Sequence, residues 1–197
     1  MIIVGIDEVG RGCWAGPLVA GAVILPPDLL LEDGPINKEI ILRDSKKMSK
    51  KQRDITAEFV NKHALAVGLG WVWPAEIDEI GLTAAVKQAM LAALRTIDVA
   101  YDEVIIDGNI NYIPDDSRVR SVIKADDSVP AVSAASIVAK VARDNYMAEA
   151  AEHFPVYGFD SHVGYGTAAH IAALKQFGVC ELHRQSYKPI KQIMGLL

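Results

Sequence analysis

The 197-residue chain has only two cysteines, Cys13 and Cys180, too few for a disulfide framework or a thiolate metal site. That scarcity favours a reducing, cytoplasmic setting. No charge of one sign dominates: 20 Lys and Arg stand against 25 Asp and Glu, a formal net charge of −5. A polycationic nucleic-acid coat and a disordered acidic tail are both excluded, so any nucleic-acid surface must be a local patch. No basic stretch precedes the apolar opening "MIIVGI", and Asp7 arrives too early for a signal peptide or a membrane span. A soluble protein with no membrane contact is expected. The five histidines, His63, His153, His162, His170 and His183, follow no familiar metal spacing. They are expected to be mostly structural, with His162 or His170 able to touch phosphate near Tyr165. Internal repeats, low-complexity tracts and linkers are also missing, so one domain over residues 1–197 is expected, with 51% hydrophobic residues to build its core.

What is present alternates between two patterns. Residues Ile2 to Ile6 and Leu18 to Leu25 are short aliphatic runs bounded by Gly and Pro, as buried strands are, and they can pair through the glycine-rich loop between them. "PPDLLLEDGPINKEI" reads as an irregular connection. Ser49 is placed to cap a helix running to about His63, and "ALAVGLGWVW" returns to strand character. From Thr83 to Ile97 good helix formers carry Val86, Met90, Ala93 and Ile97 on one stripe, the mark of a core-facing helix. "DEVIIDG" and "VRSVIKAD" read as two more strands, each ending in an acid. Pro130 opens a long helix to about His153 that Asp127 or Ser128 can cap, and another runs from about Thr167 to Phe177 before Gly178. The alternation predicts an α/β fold with a mixed sheet.

Three strand-like segments thus end in carboxylates: Asp7 with Glu8, Asp107, and Asp126 with Asp127. Ligands of open α/β sheets collect at strand ends, so these acids can converge on one crevice. Unpaired carboxylates held together need a cation, and an all-oxygen donor set suits Mg²⁺ or Mn²⁺ rather than zinc. Two such ions can activate water and stabilise the leaving oxygen of a phosphodiester. Polar strand ends or helix caps would give the same residues singly. "GIDEVGRG" departs from both familiar glycine motifs, since Arg11 and Gly12 replace the Lys and Ser/Thr of a phosphate-binding loop and the glycine gaps miss the dinucleotide fingerprint. A bare backbone can still approach a sugar or phosphate closely, although a plain tight turn reads alike.

Basic groups cluster in "RDSKKMSKKQR", with Arg43, Lys46, Lys47, Lys50, Lys51 and Arg53, which a solvated helix start would also explain. Ser133, Ser136, Lys140 and Arg143 recur at three- and four-residue steps on one helix face, and can meet phosphates beside the acids. Tyr165, framed by glycines in "HVGYGT", can stack on a sugar or base, or fill a groove. The segment from His162 onward carries Lys175, Arg184, Lys188 and Lys191 against one acid, Glu181.

Together "GIDEVGRG", "AGPLVAGAVIL", "LRDSKKMS", "VIIDGN", "KADDSVPAVSAASIVAKVARD" and "YGFDSHVGYGT" resemble type 2 ribonuclease H, the ribonuclease HII family, in order and over nearly the whole chain. The resemblance implies a ribonuclease H-like fold: a mixed five-stranded sheet flanked by helices, with a small C-terminal helical extension over 162–197. It implies Asp7, Glu8, Asp107 and Asp126 as catalytic ligands of two divalent ions, Mg²⁺ or Mn²⁺. The spacing to "VP" selects Asp126 over Asp127. Gly10, Arg11 and Gly12 would read the 2′-hydroxyl and adjacent phosphate, Tyr165 would pack on the next deoxyribose, and Lys47, Ser133, Ser136, Lys140 and Arg143 would serve as further substrate contacts. The implied activity is hydrolysis of RNA in RNA–DNA hybrids and cutting 5′ to ribonucleotides embedded in duplex DNA, leaving 3′-hydroxyl and 5′-phosphate ends, as ribonucleotide excision repair requires.

This sequence departs from the family pattern at Cys13-Trp14, where Pro-Leu is common, and at Val163, where many members carry Lys. Asp127 is an additional acid. Another two-metal DNA nuclease of the same fold, indifferent to the 2′-hydroxyl, and a non-catalytic hybrid-binding module are the competing readings. A monomer is expected, with a weak sliding-clamp contact conceivable at the tail "KQIMGLL".

Overall fold

A computed structural model describes residues 1–30, 40 and 42–196. Most of the connection "PPDLLLEDGPINKEI" lies outside them. In chain order the elements are β1 (Ile3–Val9), β2 (Leu18–Ile24), α1 (Lys50–His63), β3 (Ala66–Val72), α2 (Pro74–Ile80), α3 (Leu82–Arg95), β4 (Glu103–Asp107), β5 (Val119–Val122), α4 (Ala125–Ser128), α5 (Pro130–His153), α6 (Phe159–His162), α7 (Ala168–Phe177) and α8 (Lys188–Ile193). Short 3₁₀ turns occupy Pro27–Leu30 and Ser45–Lys47.

The five strands form one mixed sheet in the order β3-β2-β1-β4-β5, consistent with the five-stranded mixed sheet that the family resemblance implies. β1 runs antiparallel to β2 with Val9 opposite Val19, and parallel to β4 with Ile6 opposite Ile106. One residue beyond that last pair, Asp7 and Asp107 leave adjacent strands at the same sheet edge. The register alone therefore brings together two acids that are a hundred residues apart in sequence.

Each sheet face is covered because side chains alternate along a strand. Ile6, Leu18, Ala20 and Ala22 pack with Val86, Met90 and Ala93 of α3, so the predicted stripe is core, with Ile97 packed against it. On the other face Val23 packs with Val60 of α1 and with Ala134, Ala135 and Val138 of α5. At Gly5 a Cβ would lie 2.2 Å from the Ala131 carbonyl carbon, so glycine lets α5 lie against β1 beside the acids. A separate apolar cluster joins Met147 and Ala150 of α5 to Phe159, Ala173, Leu174 and Ile190 of the C-terminal helices.

Ser49 caps α1 through a reciprocal capping box with Gln52, and Thr167 accepts from the His170 N–H to cap α7. Two local expectations are corrected. β5 stops at Val122, and Asp126 lies on the four-residue α4 rather than at a strand end. The cause is Lys124, whose left-handed backbone (φ 58°) turns the chain so that the Ala125 N–H donates to Asp107 Oδ1 at 2.8 Å. The residue before α5 is Val129, which supplies no side-chain cap: Asp127 is paired with Lys47, and Ser128 Oγ donates to the Lys124 carbonyl. Helices α2 and α8 were not anticipated, although Pro74 and Glu76 at the start of α2 mark it, the Glu76 carboxylate accepting from Trp73 N–H.

Candidate active site

A cleft of about 410 Å³ opens at the sheet edge, lined by Asp7, Glu8, Gly10, Arg11, Gly12, Ser45, Lys46, Asp107, Ser136, Lys140 and Tyr165 among others. A shallower groove of about 620 Å³ continues from it past Asp126 and shares Lys46 and Asp107. The cavity of about 820 Å³ between α7 and α8 is lined largely by apolar side chains such as Trp14, Ile171 and Ile193 and contains no acid. Titratable chemistry places the site at the sheet edge instead.

Asp7 is 7% exposed, and its Oδ1 accepts from the Glu8 N–H at 2.8 Å. Burial first, then repulsion from Glu8 and Asp107, pushes its carboxyl up to about 8 against relief from Ser136. Burial also raises Glu8, although Arg11 at 3.1 Å offsets it, and raises Asp126, with repulsion from Asp107 adding to it. These are carboxylates short of positive charge. Glu8 is turned to Arg11 and one oxygen of Asp107 accepts from α4, so among the described residues no three His, Cys, Asp or Glu side chains form a ready-made cation cage. The donor chemistry, all oxygen with unrelieved repulsion, nonetheless fits hard divalent cations.

The glycine–arginine–glycine loop is braced from behind by two buried arginines. Gly10 adopts φ 91°, and a Cβ there would meet Arg143 Nε at 2.5 Å, so both conformation and space require glycine. The Arg143 guanidinium donates to the carbonyls of Pro17 (2.8 Å), Val163 (2.9 Å) and Ala15 (3.0 Å). Arg143 is fully buried, which corrects its expected place among the phosphate contacts: its donors are spent on the backbone carbonyls of Ala15, Pro17 and Val163 behind the loop. Ser133 is likewise turned inward, donating to the Asp126 carbonyl at 2.6 Å. Arg184 donates to Gly16 and Arg11 carbonyls, and the Tyr187 hydroxyl donates to the Arg11 carbonyl at 2.6 Å. Sequence reasoning registered Arg184 only as part of a basic bias. Nothing local in the sequence distinguishes an inward guanidinium from a solvated one.

Other expected contacts do face the cleft. Ser136 bonds Ser45 Oγ at 3.0 Å, tying the "DSKK" turn to α5, and Lys140 donates to Asp144 at 2.7 Å while lining the cleft. Tyr165 is 42% exposed, with its ring edge 4.0 Å from where a Gly12 Cβ would sit. Lys47 lines the groove but is paired with Asp127, while Lys46, which was not singled out, lines both cavities.

The histidines His162 and His170 are buried rather than presented to solvent beside Tyr165. His162 stacks on His170 with ring centroids 4.4 Å apart, and His170 is in turn hydrogen-bonded to His183. His170 Nδ1–H donates to the Tyr165 carbonyl, so its Nε2 accepts from His183 Nε2–H at 3.0 Å, and His183 Nδ1 accepts from the Cys180 N–H. Burial, then its histidine neighbours, lowers His183 to about 4. The His170–His183 pair anchors the backbone that carries Tyr165.

The family model described as Ribonuclease HII matches residues 4–190. The chain belongs to the ribonuclease HII family. It is therefore a phosphodiester hydrolase of the ribonuclease H type, acting on the RNA strand of RNA–DNA hybrids. Proteins named Ribonuclease HII from Dichelobacter nodosus and Chlamydia abortus are 45% and 44% identical to it; each match covers 98% of this chain, and 97% and 86% of those proteins. Among solved structures, the ribonuclease H2 of Pyrococcus horikoshii aligns over 99% of this chain and 98% of its own, with TM-score 0.82 at 24% identity, which supports the fold. Ribonuclease HII of Archaeoglobus fulgidus, solved in complex with PCNA, aligns with TM-score 0.78 at 26% identity, over 95% of this chain and 96% of that one.

Proposed function

We propose that this protein cuts 5′ to single ribonucleotides embedded in duplex DNA as well as within longer hybrids, leaving 3′-hydroxyl and 5′-phosphate ends. The observation that carries the reading is the juxtaposition in one cleft of Asp7, Glu8 and Asp107 with the bare loop Gly10 to Gly12 and Tyr165. Asp7, Glu8, Asp107 and Asp126 would hold two divalent ions, Mg²⁺ or Mn²⁺. Such ions, when bound, supply charge neutralisation for the crowded carboxylates and Lewis acidity at the scissile phosphate.

The protein's own groups set position and selectivity. Arg143 and Arg184 fix the loop so that its peptide groups meet the 2′-hydroxyl without reorganising, and a missing hydroxyl leaves them unpaired. Tyr165 offers a half-exposed face to the neighbouring sugar, and Lys46, Lys47 and Lys140 supply positive charge along the backbone. Burial of Asp7 beside Glu8 keeps the acid pair dependent on cations. The protein is further read as a cytoplasmic monomer. The PCNA complex of the Archaeoglobus relative supports a weak clamp contact through the tail "KQIMGLL".

The test compares a duplex carrying one ribonucleotide, a long hybrid and an all-DNA duplex, each with Mg²⁺, Mn²⁺ or chelator, using wild type and Asp126→Asn. Cation-dependent cutting 5′ to the single ribonucleotide, none of DNA, and strong loss in the variant are expected. Cutting of DNA alone would replace the reading with that of a DNA nuclease.

A further inference from the structure

The additional acid Asp127 has a partner. Its Oδ2 lies 2.6 Å from Lys47 Nζ, which is also 3.7 Å from Asp44, and the Lys47 and Asp127 side chains are 55% and 39% exposed. The backbone beneath Lys47 is held from several sides. Asp44 Oδ1 accepts from the Lys46 N–H, Arg43 Nη2 donates to the Lys47 carbonyl, and Arg53 donates to the carbonyls of Ser45 and Met48. Ser45 Oγ is bonded to Ser136 of α5. The ammonium is therefore an exposed head on a backbone held from several sides, at the rim of the groove that contains Asp107 and Asp126.

We propose that Asp127 is an internal stand-in for a nucleic-acid phosphate on Lys47, exchanged for the substrate's backbone when the duplex docks. The inference rests on the hybrid-binding reading of this site. Asp127 is not a further cation ligand: its carboxylate is directed to Lys47. A carboxylate and a phosphate present similar anionic oxygens to an ammonium, and an exposed ion pair is worth little, so exchange meets a small barrier. Four carboxylates and three lysines line this groove. Neutralising Asp127 both frees Lys47 and balances the groove's charge, so Asp127 sets how tightly the duplex is gripped and how quickly it leaves.

The test is a double-mutant cycle on binding of a labelled RNA–DNA hybrid in chelator at low ionic strength, with steady-state cleavage measured beside it. Asp127→Asn is expected to tighten the hybrid Kd about two- to fivefold, the range an exposed ion pair carries, and to lower KM with kcat little changed. Asp127→Ala, which leaves no acceptor for Lys47, should do the same. In a Lys47→Met background the gain should fall by more than half. Unchanged or weaker binding by both Asp127 variants would overturn the exchange and make the pair a structural clasp. Equal tightening with and without Lys47 would also overturn it, leaving Asp127 a simple repulsive charge. A wild type that binds hybrid but does not cut it with cation present would sink the activity reading, while the cycle would still decide this one.

Discussion

Asp7→Asn should cost the protein its activity and raise its stability. The Asp7 carboxyl rises from 3.8 to about 8 because it is buried beside Glu8 and Asp107. A raised carboxyl pKa opposes folding above the unfolded-state value: the unfolded chain releases the proton freely, whereas the folded chain must retain it or bury a charge. The penalty begins near pH 4, grows by about 1.4 kcal/mol per pH unit and levels off near pH 8, so at pH 7 it is about 4 kcal/mol. The Asn amide returns part of the gain because its NH₂ group needs partners, leaving about 2 kcal/mol. For a chain of this size that raises Tm by roughly 4–8 °C. The assay is thermal unfolding of wild type and variant in chelator at pH 5, 7 and 9. The difference should be small at pH 5 and large at pH 7 and 9. Added Mg²⁺ or Mn²⁺ should raise the wild-type Tm more than the variant's, because binding to the folded state is what stabilises. A variant no more stable than wild type at pH 7 in chelator would refute the claim that this sheet edge opposes ionisation of Asp7.

Arg143→Met should destabilise by about 3–5 kcal/mol in urea unfolding, because three buried carbonyls lose their donor, and Arg143→Lys should recover only part of it. Val163 holds φ 44°, a left-handed conformation that a β-branched residue resists, so Val163→Asn should stabilise by about 1 kcal/mol in the same measurement. His183, lowered from 6.5 to about 4, stays neutral in the fold while the unfolded chain takes up a proton. Its contribution is therefore intact above pH 6.5 and falls by about 3 kcal/mol on descent to pH 4; His183→Gln should flatten that part of the stability–pH curve.

Much of this protein is written in short stretches of its sequence. The aliphatic runs that end in Asp7 with Glu8 and in Asp107, the Ser49 cap, the α3 stripe and the Pro130 helix start are each fixed by propensities and periodicities spanning a few residues. The glycine–arginine–glycine loop was legible as bare backbone. Asp126 lines the groove beside this crevice but lies on α4 rather than at a strand end, because a left-handed Lys124 has no signature in the sequence. Tertiary structure alone decided which charges point inward. Ser133, Ser136, Lys140 and Arg143 share helical spacing, yet Arg143 is directed to Pro17, 126 residues away, and Arg184 to Gly16, 168 residues away. The histidines are joined in the same way: His170 and His183 meet only because α7 folds back against the C-terminal loop. A spacing rule reports which side chains share a face. Whether that face meets solvent, a loop carbonyl or another charge depends on how distant segments dock, and burial then sets how strongly each group holds or refuses its proton.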